Sequence, residues 1–309
     1  MRGDVARLAS PPRAPYESFA TRSDPEPARD MDLLVTTEWL AAELGKPDLK
    51  LLDATLFLPE HGRDARAEFE AAHIPGATFM DLAELNDGGP VPHMLPRPEK
   101  FASRMQALGV GDGSRVVVYD GSPLHSAARA WWMLGVFGVH QVAVLDGGLA
   151  KWKAEGRARE SGKPVVRHRH FTVWEDRSTV RDMAAMTDAL RTGAVQIADA
   201  RSPGRFTGSE PEARADLRSG HMPGARNLYY ATLFNADGTW KSRAELEATI
   251  RAAGIDPDRP VVATCGSGIT GVTLMFALAL LGRPGAALYD GSWSEWGAQP
   301  NTPVVTGAA

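Results

Sequence analysis

The run VVATCGSGIT, residues 261–270, followed at once by GVTLMFALALLG, residues 271–282, decides the fold. A β-branched stretch ends at Thr264, and the only cysteine of the chain, Cys265, comes next. Gly266, Ser267, Gly268, Ile269 and Thr270 then lead into an apolar segment of helical length. The order is strand, tight loop, helix, with a thiol where the strand stops. A helix start gathers backbone N–H groups that lack intrahelical partners, and a glycine-rich loop can turn more of them toward one centre. Negative charge is stabilised at such a point, and the thiolate is the nucleophilic form of cysteine.

Outward from this run the chain repeats itself. DAT at 53–55 returns as DAR at 199–201, and HIPGA at 73–77 as HMPGA at 221–225. VVVYDGS at 116–122 returns as VVATCGS at 261–267, and LDGGLAKW at 145–152 as YDGSWSEW at 289–296. The four offsets fall between 144 and 148 and keep their order, which unrelated segments would not do. In each half, short apolar runs alternate with helical patterns, so each half is expected to be an α/β domain with a parallel sheet covered by helices. The expected organisation is a disordered extension at 1–30, a first domain at 31–152, a linker at 153–177 and a second domain at 178–309. Residues 1–30 carry five prolines and no periodicity, which suits disorder.

The formal charge of −4 is small and mixed in sign, which argues against nucleic acid as a partner. The longest apolar run, residues 272–281, is far short of the ~20 residues of a membrane span, so no membrane association is expected. One cysteine cannot form an internal disulfide, which fits a reducing, cytoplasmic location. His168 and His170 alternate with arginines in the linker and read as an exposed extended crossing, with no metal site expected.

In the repeat alignment Cys265 falls opposite Asp120, so one thiol site per chain is expected, in the second half, with the first half as a structural partner. The loop lacks the lysine of a phosphate-binding P-loop, and Gly266-Ser267-Gly268 lacks the spacing of a serine nucleophile elbow. Gly271 stands where a cysteine phosphatase needs arginine. A structural buried cysteine is the bland alternative. The strand-to-helix position among small residues argues against it.

These residues resemble those of the two-domain rhodanese-type sulfurtransferases, and CGSGIT is similar to the active-site loop of the 3-mercaptopyruvate sulfurtransferases. The likeness runs from about Leu33 to Pro303 and includes HIPGA, GRFTGSEPEAR at 204–214 and YDGSWSEWG at 289–297. Thiosulfate-preferring relatives carry a basic pair, as in CRKGVT, where Gly266 and Ser267 stand here. The resemblance implies transfer of sulfur from 3-mercaptopyruvate through a persulfide on Cys265 to a thiol acceptor such as thioredoxin, or to cyanide, with release of pyruvate and no cofactor. It also implies substrate contacts from Arg205 and Arg214, and a proton relay of Ser267, His73 and Asp64. Ala72 stands where some relatives place an arginine before the histidine, and Ile269 replaces a commoner valine. His221 repeats His73 in the second half, so a turn-holding role for both is the competing expectation. Asp146 and Asp290, and Trp152 and Trp296, recur in matched positions and are expected to serve folding. The other functional readings are a thiosulfate-preferring enzyme and a non-catalytic persulfide carrier or regulatory module.

Overall fold

Short β-branched runs form the strands, and amphipathic or wholly apolar segments between them form the helices. The computed structural model describes residues 31–283 and 285–308. The disorder expected for residues 1–30 concerns residues outside that range. In the first half, β1 (Leu34–Val35), α1 (Thr37–Glu43), β2 (Leu49–Asp53), α2 (Ala65–Ala71), β3 (Ala77–Phe79), α3 (Pro98–Ala107), β4 (Arg115–Tyr119), α4 (Ala127–Val136), β5 (Val142–Leu145) and α5 (Gly148–Ala154) follow one another. The second half continues with β6 (Val180–Arg181), α6 (Met183–Thr192), β7 (Gln196–Asp199), α7 (Pro203–Thr207), β8 (Arg226–Asn227), α8 (Arg243–Ala252), β9 (Val261–Thr264), α9 (Gly271–Leu280), β10 (Ala286–Tyr289) and α10 (Ser292–Trp296).

Each half holds a five-stranded sheet, ordered β1-β5-β4-β2-β3 and β6-β10-β9-β7-β8, and every pairing is parallel. The strand orders coincide under the sequence repeat, as expected for two copies of one α/β domain. Within β9, side chains alternate between the two faces of the sheet. Val261 and Ala263 enter a core shared by both halves, and Val262 enters an outer core of the second half. Cys265 continues the inward series and lies in the shared core.

The shared core explains why α4 and α9 are apolar nearly all round: each is wedged between its own sheet and the other half. Trp131 of α4 meets Phe276 of α9 edge to face, with ring centroids 4.9 Å apart. Trp132 Nε1 donates to Thr179 Oγ1 at 3.0 Å, from one half to the other. The segment after α5 lies along the first half, where Glu160 pairs antiparallel with His73 and Phe171 is buried against Phe101. The tail of the second half does the same, Val305 pairing with His221.

The two DG aspartates make the association reciprocal. Asp146 Oδ1 accepts the amide of Trp240 at 2.9 Å, and Asp290 Oδ2 accepts the amide of Leu95 at 2.8 Å. Trp240 and Leu95 are themselves repeat partners, 145 residues apart. The folding role expected for these aspartates is therefore present, but each serves the opposite half.

Candidate active site

Cys265 follows β9 at the carboxyl end of the second sheet, where the strand stops and the backbone turns into α9. It is 2% exposed. Its amide donates to Ser292 Oγ at 3.2 Å, and its sulfur lies 4.0 Å from the same oxygen. The amides of Trp293 and Ser294 close the turn on the carbonyls of Cys265 and Gly266 at 2.9 and 2.8 Å. Gly268 adopts a left-handed φ of 77°, and a Cβ there would meet the carbonyl oxygen of Asp290 at 2.8 Å. Only glycine fits that point.

The first half shows what this loop does to an anionic side chain. Asp120, the counterpart of Cys265, accepts the amide of Ser122 at 2.9 Å and the amide of Ala127 at 2.7 Å. The second-half loop is one residue shorter, so Ser267 and Gly271, the first residue of α9, carry the equivalent amides. Burial pushes the Asp120 carboxyl up to about 7, against the downward pull of those two amides.

Two residues overlooked in the sequence stand close to the loop in strained backbone. Ser292 has a φ of 49° and His93 a φ of 61°. Their repeat partners are Gly148 and Gly238, with φ of 52° and 82°. A side chain in the left-handed region costs on the order of 1–2 kcal/mol, and such strain gathers at functional sites. Ser292 directs its hydroxyl at Cys265 and donates it to the Tyr289 carbonyl at 2.8 Å. Its glycine counterpart was the signal available in the sequence. His93 Nδ1 is buried without a partner among the described residues, and burial, then the Arg129 charge, lowers its imidazole to about 4, so it is neutral at pH 7.

Arg205, on α7, lies over the loop: a Cβ placed on Gly266 would sit 3.0 Å from Arg205 Nη2. Glu212, buried, accepts from Arg205 Nε at 3.1 Å and Nη2 at 2.5 Å. The same carboxylate binds buried Arg201 at 2.7 Å, and Arg201 in turn holds Asp199 at 2.6 Å. This chain of charges fixes the guanidinium of Arg205, 30% exposed, beside the sulfur loop. Tyr230 extends from the second half to donate its hydroxyl to the Pro123 carbonyl at 3.1 Å. Burial, then Tyr229, then the nearby Cys265 raise its phenol to about 12, so it remains a donor. His125 stacks on Phe234 with centroids 3.4 Å apart and is lowered by burial to about 4.

The expected relay is not assembled. Ser267 is half-buried in the loop, and its hydroxyl has no hydrogen-bond partner among the described residues. His73 stacks on Phe69 in the outer core of the first half, with Nδ1 2.7 Å from the Phe69 carbonyl. A carbonyl only accepts, so Nδ1 carries the proton. His221 repeats the arrangement on Phe206, with Nδ1 2.8 Å from its carbonyl. A histidine in the outer core, doubled in the other half, holds a turn. Asp64 is exposed and caps α2 by accepting the amide of Ala67 at 3.0 Å. Arg214, 40% exposed, pairs with Asp216 at 2.6 Å. The structure thus brings Cys265, Gly266, Ser267, Gly268, Ile269, Thr270 and Arg205 together, and leaves His73, Asp64 and Arg214 engaged elsewhere. The histidine whose backbone is tied to the loop, through Arg129, is His93.

A profile of the rhodanese-like domain matches residues 36–155 and 182–299. The 3-mercaptopyruvate sulfurtransferase of Rattus norvegicus is 40% identical over 283 residues, covering 89% of this chain and 95% of its own. The crystal structure of SseA from Escherichia coli, a 3-mercaptopyruvate sulfotransferase by its description, superposes with a TM-score of 0.78 at 38% identity, covering 85% of this chain and 99% of its own. A thiosulfate sulfurtransferase of Cricetulus griseus is 38% identical over 284 residues, 89% of this chain and 95% of its own. The chain belongs to the rhodanese family, with two rhodanese-like domains in tandem.

Proposed function

We propose that the chain is a sulfurtransferase that takes sulfur from 3-mercaptopyruvate and passes it to a thiol. The observation that carries this reading is the thiol of Cys265 in a loop whose first-half counterpart gathers amides on a carboxylate, with no basic side chain on Gly266 or Ser267. The similarity to the rat and E. coli proteins supports the same donor.

The steps follow from the residues present. The Cys265 thiolate attacks the sulfur of the donor, and the S–C bond breaks with its electron pair going to carbon. The resulting enolate takes a proton and leaves as pyruvate. Sulfur stays on Cys265 as a persulfide anion, stabilised by the loop amides, while the Ser292 hydroxyl anchors the Cys265 backbone amide. An acceptor thiolate attacks the outer sulfur and restores the Cys265 thiolate, and a small dithiol protein such as thioredoxin suits that role. Arg205 binds the donor carboxylate, held in aim by Glu212. Ser267 and the neutral His93 are the groups offered for proton transfer, in place of the His73 and Asp64 expected from the sequence. None of these steps calls for a metal or a cofactor. A reducing compartment such as the cytoplasm suits a chain whose single thiol must stay free. No helix among the described residues is long and apolar enough to cross a membrane.

Preference for thiosulfate is the second reading, favoured by the similarity to the hamster enzyme. Pyruvate release from 3-mercaptopyruvate, measured beside thiocyanate formation from thiosulfate and cyanide, separates the two. A faster thiosulfate reaction selects the second reading. Absence of both products above a Cys265→Ser control leaves only a persulfide carrier. Arg205→Ala is expected to raise KM for 3-mercaptopyruvate by about 1.5–3 kcal/mol, the worth of a charge-assisted hydrogen bond, and an unchanged KM removes Arg205 from the site.

A further inference from the structure

The two halves match strand for strand and share reciprocal aspartate bonds, so the places where the symmetry breaks are informative. One break spans the interface. Arg129, in α4 of the first half, is 1% exposed and sends its guanidinium to the second half. Nη1 donates to the carbonyl of Gly268 at 3.1 Å and to Asp290 Oδ1 at 2.7 Å, while Nη2 donates to the carbonyl of His93 at 2.5 Å. Its face lies 4.6 Å from the Trp132 ring centroid. The repeat partner of Arg129 is Thr273, because α4 and α9 are 144 residues apart at both ends. Asp146, the partner of Asp290, accepts its amide from Trp240 and is bonded to no arginine among the described residues. The pseudo-symmetric scaffold therefore needs no arginine to hold its halves together. The arginine occurs only on the side where the loop carries the cysteine.

We propose that Arg129 is the positioning residue through which the thiol-free repeat holds the active-site loop. Its three acceptors are the loop itself at Gly268, the turn that carries Ser292 at Asp290, and the strained segment that carries His93. The loop and the Ser292 turn are also bonded to each other directly, and the His93 segment is tied to them through Arg129 and through the Leu95 amide on Asp290. The planar guanidinium serves the three acceptors together, which the single ammonium of lysine does not do. With Gly268 pinned from its carbonyl side, the backbone between Cys265 and Gly271 is held in one course around the thiol. Loss of the pin lets the loop drift, and a displacement of about 1 Å at a reacting centre lowers rate on the order of 100-fold. The first repeat thereby supplies catalytic geometry without touching the donor.

The proposal rests on the sulfurtransferase reading only for its turnover measurement, so the test has two arms. The first is the rate at which iodoacetamide alkylates Cys265 in full-length Arg129→Met, Arg129→Lys and Asp146→Ala variants, with no donor present. The second is kcat and KM for 3-mercaptopyruvate. Arg129→Met is expected to slow alkylation at least tenfold and to lower kcat on the order of 100-fold with KM little changed, Arg129→Lys recovering part of both. Asp146→Ala breaks the twin bond between the halves, so its Tm falls while alkylation and kcat are retained. Where Arg129→Met does not fold, Arg129→Lys carries the comparison. Wild-type alkylation in a folded Arg129 variant overturns the proposal, as does an equal loss in Asp146→Ala. A wild-type chain inactive toward 3-mercaptopyruvate but with the expected alkylation pattern overturns the donor and leaves the positioning role standing.

Discussion

Ser292 joins strain to chemistry, and two substitutions separate them. The residue starts α10 with a φ of 49°, at the position where the first repeat has Gly148 with a φ of 52°. Ser292→Gly and Ser292→Ala both delete the hydroxyl that accepts the Cys265 amide and donates to the Tyr289 carbonyl. Two lost hydrogen bonds cost about 2 kcal/mol in either variant. Alanine keeps the left-handed penalty that serine already carries, so its net loss stays at about 2 kcal/mol. Glycine is free of that penalty, on the order of 1 kcal/mol after its greater unfolded-state entropy is counted, which leaves a loss of about 1 kcal/mol. The expected order, glycine more stable than alanine, reverses the ordinary helix preference. In a domain of this size the gap is roughly 2 °C in Tm, read by calorimetry. Sulfur transfer is expected to fall in both variants to the same degree, about tenfold, because both lose the hydroxyl beside the sulfur. An alanine variant as stable as the glycine variant refutes the strain argument. A glycine variant with full activity refutes the role of the hydroxyl.

Two further outcomes follow from the same structure. His73→Asn and His221→Asn are each expected to lower Tm and leave kcat intact, since both rings hold turns in outer cores, whereas His93→Asn is expected to lower kcat; a kcat loss confined to His73→Asn restores the relay expected from the sequence. The Asp120 carboxyl, raised by burial to about 7 from an unfolded value near ~3.9, is protonated in the folded chain over a range where the unfolded chain has lost the proton. Its contribution to stability therefore declines as pH rises from ~4 to ~7 and is level above, so Asp120→Asn should gain Tm relative to the parent between pH 5 and pH 8, and parallel Tm curves contradict this.

The repeat made most of the fold legible, because four paired motifs keep their order with offsets that differ by only a few residues, and the single thiol stands out between them. The site was half legible. Cys265 and its loop declare themselves through local chemistry, and Arg205 through its motif. HIPGA looks distinctive in isolation and drew attention to His73, which the structure places in the outer core of the first half. Its double at His221 was the sounder guide, and the stacked rings on Phe69 and Phe206 give the reason. Ser292 and His93 escaped notice because their signal is conformational: serine and histidine standing where the other repeat has glycine. Arg129 was out of reach for a different reason. Its partners Gly268 and Asp290 lie 139 and 161 residues away, and no local pattern announces a bond of that span.

Every step proposed for the chain passes sulfur through Cys265. Intact-protein and peptide mass spectrometry after treatment with 3-mercaptopyruvate, with no acceptor present, tests it most directly. One pyruvate released per chain, one sulfur atom added to the peptide bearing Cys265, and loss of that sulfur when a thiol is supplied are the expected results. Pyruvate released without sulfur on Cys265, or turnover sustained by Cys265→Ser, contradicts it.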